Sequence, residues 1–163
     1  MTWKIAALRR ASAMQVMSRR DALATSVGAG ALLLLGLRAT PAGPAEANAE
    51  IAKFSAGRRP TPGQITIDVP AIAENGNSVP ISVVVASPMT VEDHVTDVLL
   101  LADRNPRPVI ATFHFTPMMG RAEAATRIRL ATTQNVTVLA KTSRGGLLVD
   151  QRPIKVTIGG CGG

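Results

Sequence analysis

The chain has 163 residues, 46% of them hydrophobic, which leaves room for one domain with its own core but not for two. Its formal net charge of +7 is unevenly spread, because the first 49 residues carry +4 and the rest only +3. Basic surfaces that bind nucleic acid usually include stacking aromatic side chains, whereas the only aromatic residues beyond residue 49 are Phe54, Phe113 and Phe115. Composition and charge therefore argue against nucleic-acid binding.

The first 49 residues have the order of an export signal. Residues 1–20 contain no acid and end in the pair Arg19-Arg20, the apolar run 22–37 follows, and Ala47-Asn48-Ala49 offers small residues for cleavage. The paired arginines favour the twin-arginine route. The sixteen-residue apolar run is shorter than the roughly 20 residues that span a bilayer, and its length does not fit a mitochondrial presequence. We predict a leader over 1–49, cleaved after Ala47 or Ala49, and a periplasmic protein without membrane contact after cleavage.

Beyond the leader, seven segments have the alternating or β-branched patterns of strands. Before them, 50–57 has the spacing of a short helical turn, and Asn75-Gly76 is a turn signal. The predicted strands cover 64–69, 79–86, 95–101, 109–115, 122–130, 135–140 and 146–158, the last as one kinked strand or as two strands joined near 150–153.

The spacing of these strands predicts the fold. No long amphipathic helix lies between them, and turn signals separate several of them. The pattern predicts an all-β, immunoglobulin-like antiparallel β-sandwich that forms one domain over 50–163, with residues 159–163 as a C-terminal arm.

No group of residues has the spacing of a catalytic or metal site. The two histidines, His94 and His114, lie in or next to strands, and a zinc site would need a third ligand. The sequence has no phosphate-binding glycine motif and no Gly-x-Ser-x-Gly elbow. We therefore predict neither catalytic residues nor a bound metal or cofactor, and a protein that is not itself an enzyme.

The only cysteine, Cys161, lies in the C-terminal sequence Gly159-Gly160-Cys161-Gly162-Gly163. Glycine has no Cβ and loses the most backbone entropy on ordering, so these four glycines predict a mobile, sterically bare arm. Fully extended beyond residue 158, an arm of this length reaches about 17–20 Å. A single thiol on such an arm, in an exported protein, suits a sulfur that is presented to other proteins.

Five stretches of the sequence match one known family. They are Lys155-Val-Thr-Ile-Gly-Gly-Cys-Gly-Gly163, Ile72-Ala-Glu-Asn-Gly-Asn77, Ser87-Pro-Met-Thr90, Ala111-Thr-Phe-His-Phe-Thr-Pro117 and Thr126-Arg-Ile-Arg-Leu-Ala131. Together they resemble the SoxY family, the sulfur-carrier subunits of the periplasmic Sox thiosulfate-oxidising system. The similarity extends from residue 65 to residue 163, and a twin-arginine signal is also usual in that family.

The resemblance implies a covalent carrier. The cysteine matching Cys161 would hold the sulfur substrate, first as an S-thiosulfonate and then as shorter sulfane adducts. The glycines matching Gly159, Gly160, Gly162 and Gly163 would form the swinging arm. The implied partners are a SoxZ-like subunit, with which the chain would form a heterodimer, and Sox enzymes that conjugate thiosulfate, hydrolyse off sulfate and oxidise the sulfane.

Two other functions fit a C-terminal glycine and cysteine sequence. A ubiquitin-like sulfur carrier converts its C-terminal Gly-Gly to a thiocarboxylate, although it needs activation by ATP and normally a cytosolic setting. A structural module would use Cys161 only for an interchain disulfide, and such a dimer could also form off-pathway from a carrier.

Overall fold

The computed structural model of the protein describes residues 43–160. Most of the predicted leader, with Arg19 and Arg20, and the last three residues, Cys161, Gly162 and Gly163, lie outside the described residues. Residues 43–160 form one α-helix, nine strands and one 3₁₀ turn. In chain order these are α1 (Pro44–Ser55), β1 (Thr61–Pro62), β2 (Ile65–Asp68), β3 (Ile72–Asn75), β4 (Val79–Val85), β5 (Val95–Ala102), β6 (Val109–His114), the 3₁₀ turn (Pro117–Met119), β7 (Ala122–Ile128), β8 (Gln134–Thr142) and β9 (Leu147–Ile158).

The strands form two sheets whose inner faces share one core. The larger sheet has the order β1-β9-β8-β5-β6, with β3 also paired to β9, and the smaller sheet has the order β2-β4-β7. All pairs are antiparallel except those of β1 and β3, which run parallel to β9 near its two ends. Buried side chains from both sheets pack together between them. The predicted immunoglobulin-like β-sandwich is confirmed, with two short parallel strands added to it.

All seven predicted strands are present, with ends shifted by at most two residues. The two strands that the prediction missed, β1 and β3, have only two and four residues. In β3 the single buried side chain is the small Ala73, while Ile72 is exposed, so the segment has no alternation of large apolar residues. Both strands exist because they pair with the edge of β9.

The last predicted segment forms one strand, β9, although it contains Pro153. Proline lacks an N–H and normally interrupts a strand inside a sheet. Pro153 pairs with Asn135 of β8. Both backbone groups of Asn135 bond Asp103 instead of β9: the N–H donates to Asp103 Oδ1 at 3.0 Å, and the C=O accepts from the Asp103 N–H at 3.2 Å. Asn135 and Pro153 are therefore a non-hydrogen-bonded pair, and no ladder bond is lost.

Helix α1 begins earlier than the predicted turn over 50–57. Pro44 occupies the first turn, where its missing N–H is not needed, and Ala56 ends the helix in the left-handed conformation. Ile51 and Phe54 pack on a small second core on the outer face of the larger sheet, formed by Leu99, Leu101 and Leu139. The helix explains why β5 is apolar on both faces.

Replacing Phe54 with Ala should loosen α1 from the sheet. The Phe54 ring is half-buried against the second core and lies 4.1 Å from Lys141 Nζ in a cation–π contact. We expect the free energy of unfolding to fall by about 2 kcal/mol, less than for a fully buried ring. Urea unfolding measures the change. Lys53→Ala, on the exposed face of the same helix, is the control and should cost under about 0.5 kcal/mol; equal losses would mean that the outer-face contact contributes nothing.

Candidate functional site

The end of β9 and the start of the arm that follows it lie at one end of the sandwich. Strand register places the end of β9 beside the end of β3, since Ile158 pairs with Asn75, and beside the start of β8, since Ile154 pairs with Gln134. The turn between β3 and β4 and the loops β5–β6 and β7–β8 lie at this end, which we call the arm end. Cys161 follows the last residue of β9 by three positions and is the first residue beyond the C-terminal end of the described range.

The residues that lead to Cys161 are bonded to the body of the protein. The Gly160 N–H donates to the Leu130 carbonyl at 2.9 Å, and the Gly76 N–H donates to the Ile158 carbonyl at 2.7 Å. The Leu130 N–H in turn donates to the Gly76 carbonyl at 2.8 Å. Three segments far apart in the sequence thus meet through their backbones. We call Gly76, Leu130, Ala131, Gly159 and Gly160 the arm anchor.

The glycines of the arm anchor have a steric reason to be glycine. A Cβ on Gly76 would overlap the Leu130 carbonyl oxygen, and a Cβ on Gly159 would overlap the Ala131 carbonyl oxygen. A Cβ on Gly160 would overlap the carbonyl group of Gly76 and lie 2.6 Å from the Asn77 nitrogen. The predicted conformational freedom of Gly159 and Gly160 stays a prediction; in the structure Gly159 is exposed and Gly160 is half-buried, and a Cβ on either would overlap backbone of the body. Gly162 and Gly163 lie outside the described residues, so the predicted role of these two stays a prediction.

A buried amide network holds the β7–β8 side of the anchor. Asn105 is 7% exposed and Gln134 4% exposed, and Gln134 Nε2 donates to Asn105 Oδ1 at 2.8 Å. Asn105 Nδ2 also donates to the Arg129 carbonyl at 2.8 Å, and Asn105 Oδ1 accepts from the Ala131 N–H at 2.9 Å. Asn105 therefore bonds the residue on each side of Leu130, whose side chain is fully buried. Sequence reasoning missed this residue because it lies in a proline-rich loop.

Two threonines fix the end of β9 that leads into the arm. Thr133 Oγ1 accepts from the Val156 N–H at 3.0 Å, and Thr157 Oγ1 donates to the Glu74 carbonyl at 2.7 Å. The end of β9 before Gly159 is thus hydrogen-bonded to neighbouring segments on both sides. The direction in which the chain leaves the sandwich is set by the body.

The surface around the arm anchor is basic. Arg104 and Lys155 line one shallow cleft beside the β8 and β9 ends, and Arg127 Nε donates to Ser78 Oγ at 2.6 Å in the turn after Gly76. Within residues 43–160 none of these three side chains has an ion-pair partner. Such a surface favours an anionic group nearby.

The opposite end of the sandwich holds the histidines and an exposed methionine pair. His114 Nδ1 lies 2.7 Å from Asp97 Oδ1, and His94 Nδ1 lies 3.1 Å from the Thr90 carbonyl oxygen. Met118 is 96% exposed on the 3₁₀ turn. The described residues contain no group of three or more His, Cys, Asp or Glu that could hold a metal ion. None of these side chains joins the arm anchor.

Comparison with known proteins gives one family match and a set of similar folds. The family model for sulfur oxidation protein SoxY matches residues 51–161, so the match ends on the cysteine. The solved structure of the sulfur carrier protein SoxY from Chlorobium limicola f. thiosulfatophilum is 32% identical, with a TM-score of 0.58 over 70% of this chain and 98% of that one. No curated protein sequence matches.

A second solved structure shares the fold alone. Superoxide reductase (neelaredoxin) from Ignicoccus hospitalis is 16% identical, with a TM-score of 0.52 over 58% of this chain and 80% of that one. An identity this low supports a common sandwich architecture and nothing about its chemistry. No helix within 43–160 is long and apolar enough to cross a membrane.

Proposed function

Because the chain belongs to the SoxY family, we propose that it carries sulfur intermediates covalently on Cys161 and presents them to partner enzymes. The observation that carries the proposal is the placement of the only cysteine directly after an anchored glycine pair at the end of β9. A thiol there is joined to a rigid body but has no bulky neighbours in the sequence. The family match includes it as its last residue.

The proposed chemistry begins with an oxidative conjugation. The Cys161 thiolate and thiosulfate form a sulfur–sulfur bond, and a redox partner accepts the two electrons that are released. Hydrolysis of the outer sulfur–sulfur bond by one water then yields sulfate, two protons and a sulfane that stays on Cys161. Further oxidation of that sulfane needs a second redox partner. The carrier supplies neither oxidant, and its role is to keep the intermediate attached, at high effective concentration for each enzyme.

The proposed partners follow from this division of work. Enzymes for conjugation, sulfate hydrolysis and sulfane oxidation each act on the same thiol in turn. Membership of the SoxY family adds a SoxZ-like subunit, with which the chain would form a heterodimer. The basic surface at the arm end supports an anionic cargo, since thiosulfonate and sulfane adducts are both negatively charged. The body then provides a recognition surface that several enzymes share.

The proposed removal of the leader on export to the periplasm is compatible with the packing of α1. Cleavage after Ala49 would remove the first half of this helix, including the buried Ala47. The two side chains that contact the second core, Ile51 and Phe54, come after both expected cleavage positions. A processed chain keeps these contacts. The family match likewise starts at residue 51.

Intact-mass spectrometry of the protein purified from its source tests the proposal. We expect a chain that begins after Ala47 or Ala49 and carries added sulfur that a thiol reductant removes. Peptide mapping should place the adduct on Cys161. A thiocarboxylate at Gly163 would favour the ubiquitin-like carrier, and a reducible dimer without any monomeric adduct would favour the structural module. A chain that still begins at Met1 would contradict export by cleavage.

A further inference from the structure

We infer that Gly76 is a positioning residue for Cys161: it holds the start of the arm on the body as far as Gly160, the residue directly before Cys161. The consequence for sulfur transfer rests on the proposed carrier function, whereas the docking itself does not. Gly76 is separated from the arm by more than 80 residues, and its turn signal alone does not suggest the role.

Gly76 is hydrogen-bonded both to the end of β9 and to the β7–β8 loop. It is buried, its N–H donates to Ile158 and its carbonyl accepts from Leu130. It therefore links the last residue of β9 to the loop that bonds Gly160. Gly76 thus connects the end of β9 and the β7–β8 loop, the two segments next to which the arm begins.

The backbone around Gly76 leaves no space for a side chain. A Cβ on Gly76 would meet the Leu130 carbonyl oxygen and lie 2.9 Å from the Gly160 nitrogen. Both atoms belong to backbone, which cannot rotate away as a flexible side chain can. Alanine at this position must either move residue 76 away from Leu130 and Gly160 or separate those two residues, which are hydrogen-bonded at 2.9 Å, so the docking contact is disturbed in both cases. Gly76 is thus needed for a close approach, not for a special backbone angle.

Leu130, whose carbonyl accepts the Gly160 N–H, is itself fixed in place. Leu130 is held from both sides by Asn105, through the Arg129 carbonyl and the Ala131 N–H. The acceptor that holds Gly160 is therefore part of the buried network and is not a loose loop. Docking against such a surface has a defined geometry.

Docking at Gly160 changes the reach of the thiol. With Gly160 in place, the Cys161 Cα stays about 3.8 Å from the Gly160 Cα, close to the anchor. With the anchor open, three residue steps separate Cys161 from Ile158, and its Cα reaches about 10–11 Å from the end of β9. A partner enzyme with a shallow site can use the docked arm, but a deep site requires release.

The four glycines of the arm fall into two classes. Gly159 and Gly160 precede the cysteine and contact backbone of the body. Gly162 follows it, beyond the anchor. If glycine were needed only to avoid side chains next to Cys161, substitutions at Gly160 and Gly162 would change the mobility of Cys161 by similar amounts. A substitution at Gly76 would then leave that mobility unchanged.

A spin label on Cys161 tests the inference, since the chain has no other cysteine to label. We expect the electron paramagnetic resonance spectrum to show a motionally restricted label in the wild-type protein and a mobile label in Gly76→Ala and Gly160→Ala. The matched control, Gly162→Ala, should leave the restricted component unchanged. Amide exchange at residue 160 should accelerate by about tenfold in Gly76→Ala, the factor expected for the loss of one or two net hydrogen bonds.

Two results would overturn the inference. One is a wild-type label as mobile as that of Gly160→Ala, and the other is a Gly162→Ala spectrum that changes as much as Gly160→Ala. Thermal unfolding shows whether Gly76→Ala still folds; if it does not, Gly160→Ala and Gly162→Ala decide alone, because both substitutions lie beyond the last strand. The label needs no sulfur chemistry, so failure of docking is distinguishable from failure of the carrier function.

Discussion

Cys161→Ser should abolish thiosulfate-dependent sulfur oxidation in a system reconstituted with the partner enzymes. Serine keeps the size of the side chain but cannot form the sulfur–sulfur bond on which every proposed step depends. The loss should be complete, because the chain has no second cysteine to take over. Sulfate release and reduction of the electron acceptor are the two measurements. The midpoint of thermal unfolding should not change, since the substituted residue lies beyond the last strand.

A variant with its single thiol moved to another site tests whether the position of the cysteine matters or only the presence of a thiol. In the double variant Cys161→Ser, Ser143→Cys, the thiol moves to an exposed loop at the opposite end of the sandwich, where Ser143 bonds the Glu92 carbonyl. This variant should react with alkylating reagents and still release no sulfate. Full oxidation by Cys161→Ser would refute the carrier role, and oxidation by the double variant would show that any accessible thiol is sufficient.

The strands of the sandwich could be predicted where large apolar residues alternate or cluster. In β2 and β4 the buried side chains recur at every second residue, because one face of each strand meets the core. In β5 the last residues are apolar without alternation, because α1 covers the outer face with Ile51 and Phe54. A short helix over one face cannot be deduced from β5 alone. The strands β1 and β3 lack such patterns and depend on pairing with β9.

The candidate site could be predicted only in part. Cys161 was identified from the sequence as the only cysteine, set among glycines. Gly76 was identified as a turn residue, but its steric role depends on the meeting of residues 76, 130 and 160, which no local pattern records. Asn105 lies in a proline-rich segment between two strands, where no local pattern distinguishes it. Its role follows from burial and from three hydrogen bonds that tertiary structure creates.

Asn105→Ala should be among the most destabilising substitutions at the arm end. It removes the partner of the Arg129 carbonyl, the Ala131 N–H and the Gln134 side-chain amide together. Each buried polar group left without a partner costs about 1–3 kcal/mol, and water that enters the space recovers part of this. We expect a loss of about 3 kcal/mol, which lowers the unfolding midpoint by roughly 10 °C for a domain of this size. Calorimetry measures the shift.

The matched control for Asn105→Ala is Asn77→Ala. Asn77 is an exposed asparagine in the turn after Gly76, and it bonds the Asn75 side chain through its backbone N–H, which alanine keeps. Its replacement should cost under about 0.5 kcal/mol. Equal losses in the two variants would show that the buried amide network adds nothing to the stability of this end.

The network and the anchor should also be coupled. Asn105 does not bond Gly160, but it holds the residues on both sides of Leu130, which does. Asn105→Ala should therefore free a spin label on Cys161 even under conditions where the domain remains folded. Combined with Gly160→Ala, it should add little further mobility, because the arm is already released in each single variant. Additive effects would instead mean that Asn105 stabilises the sandwich without positioning the arm.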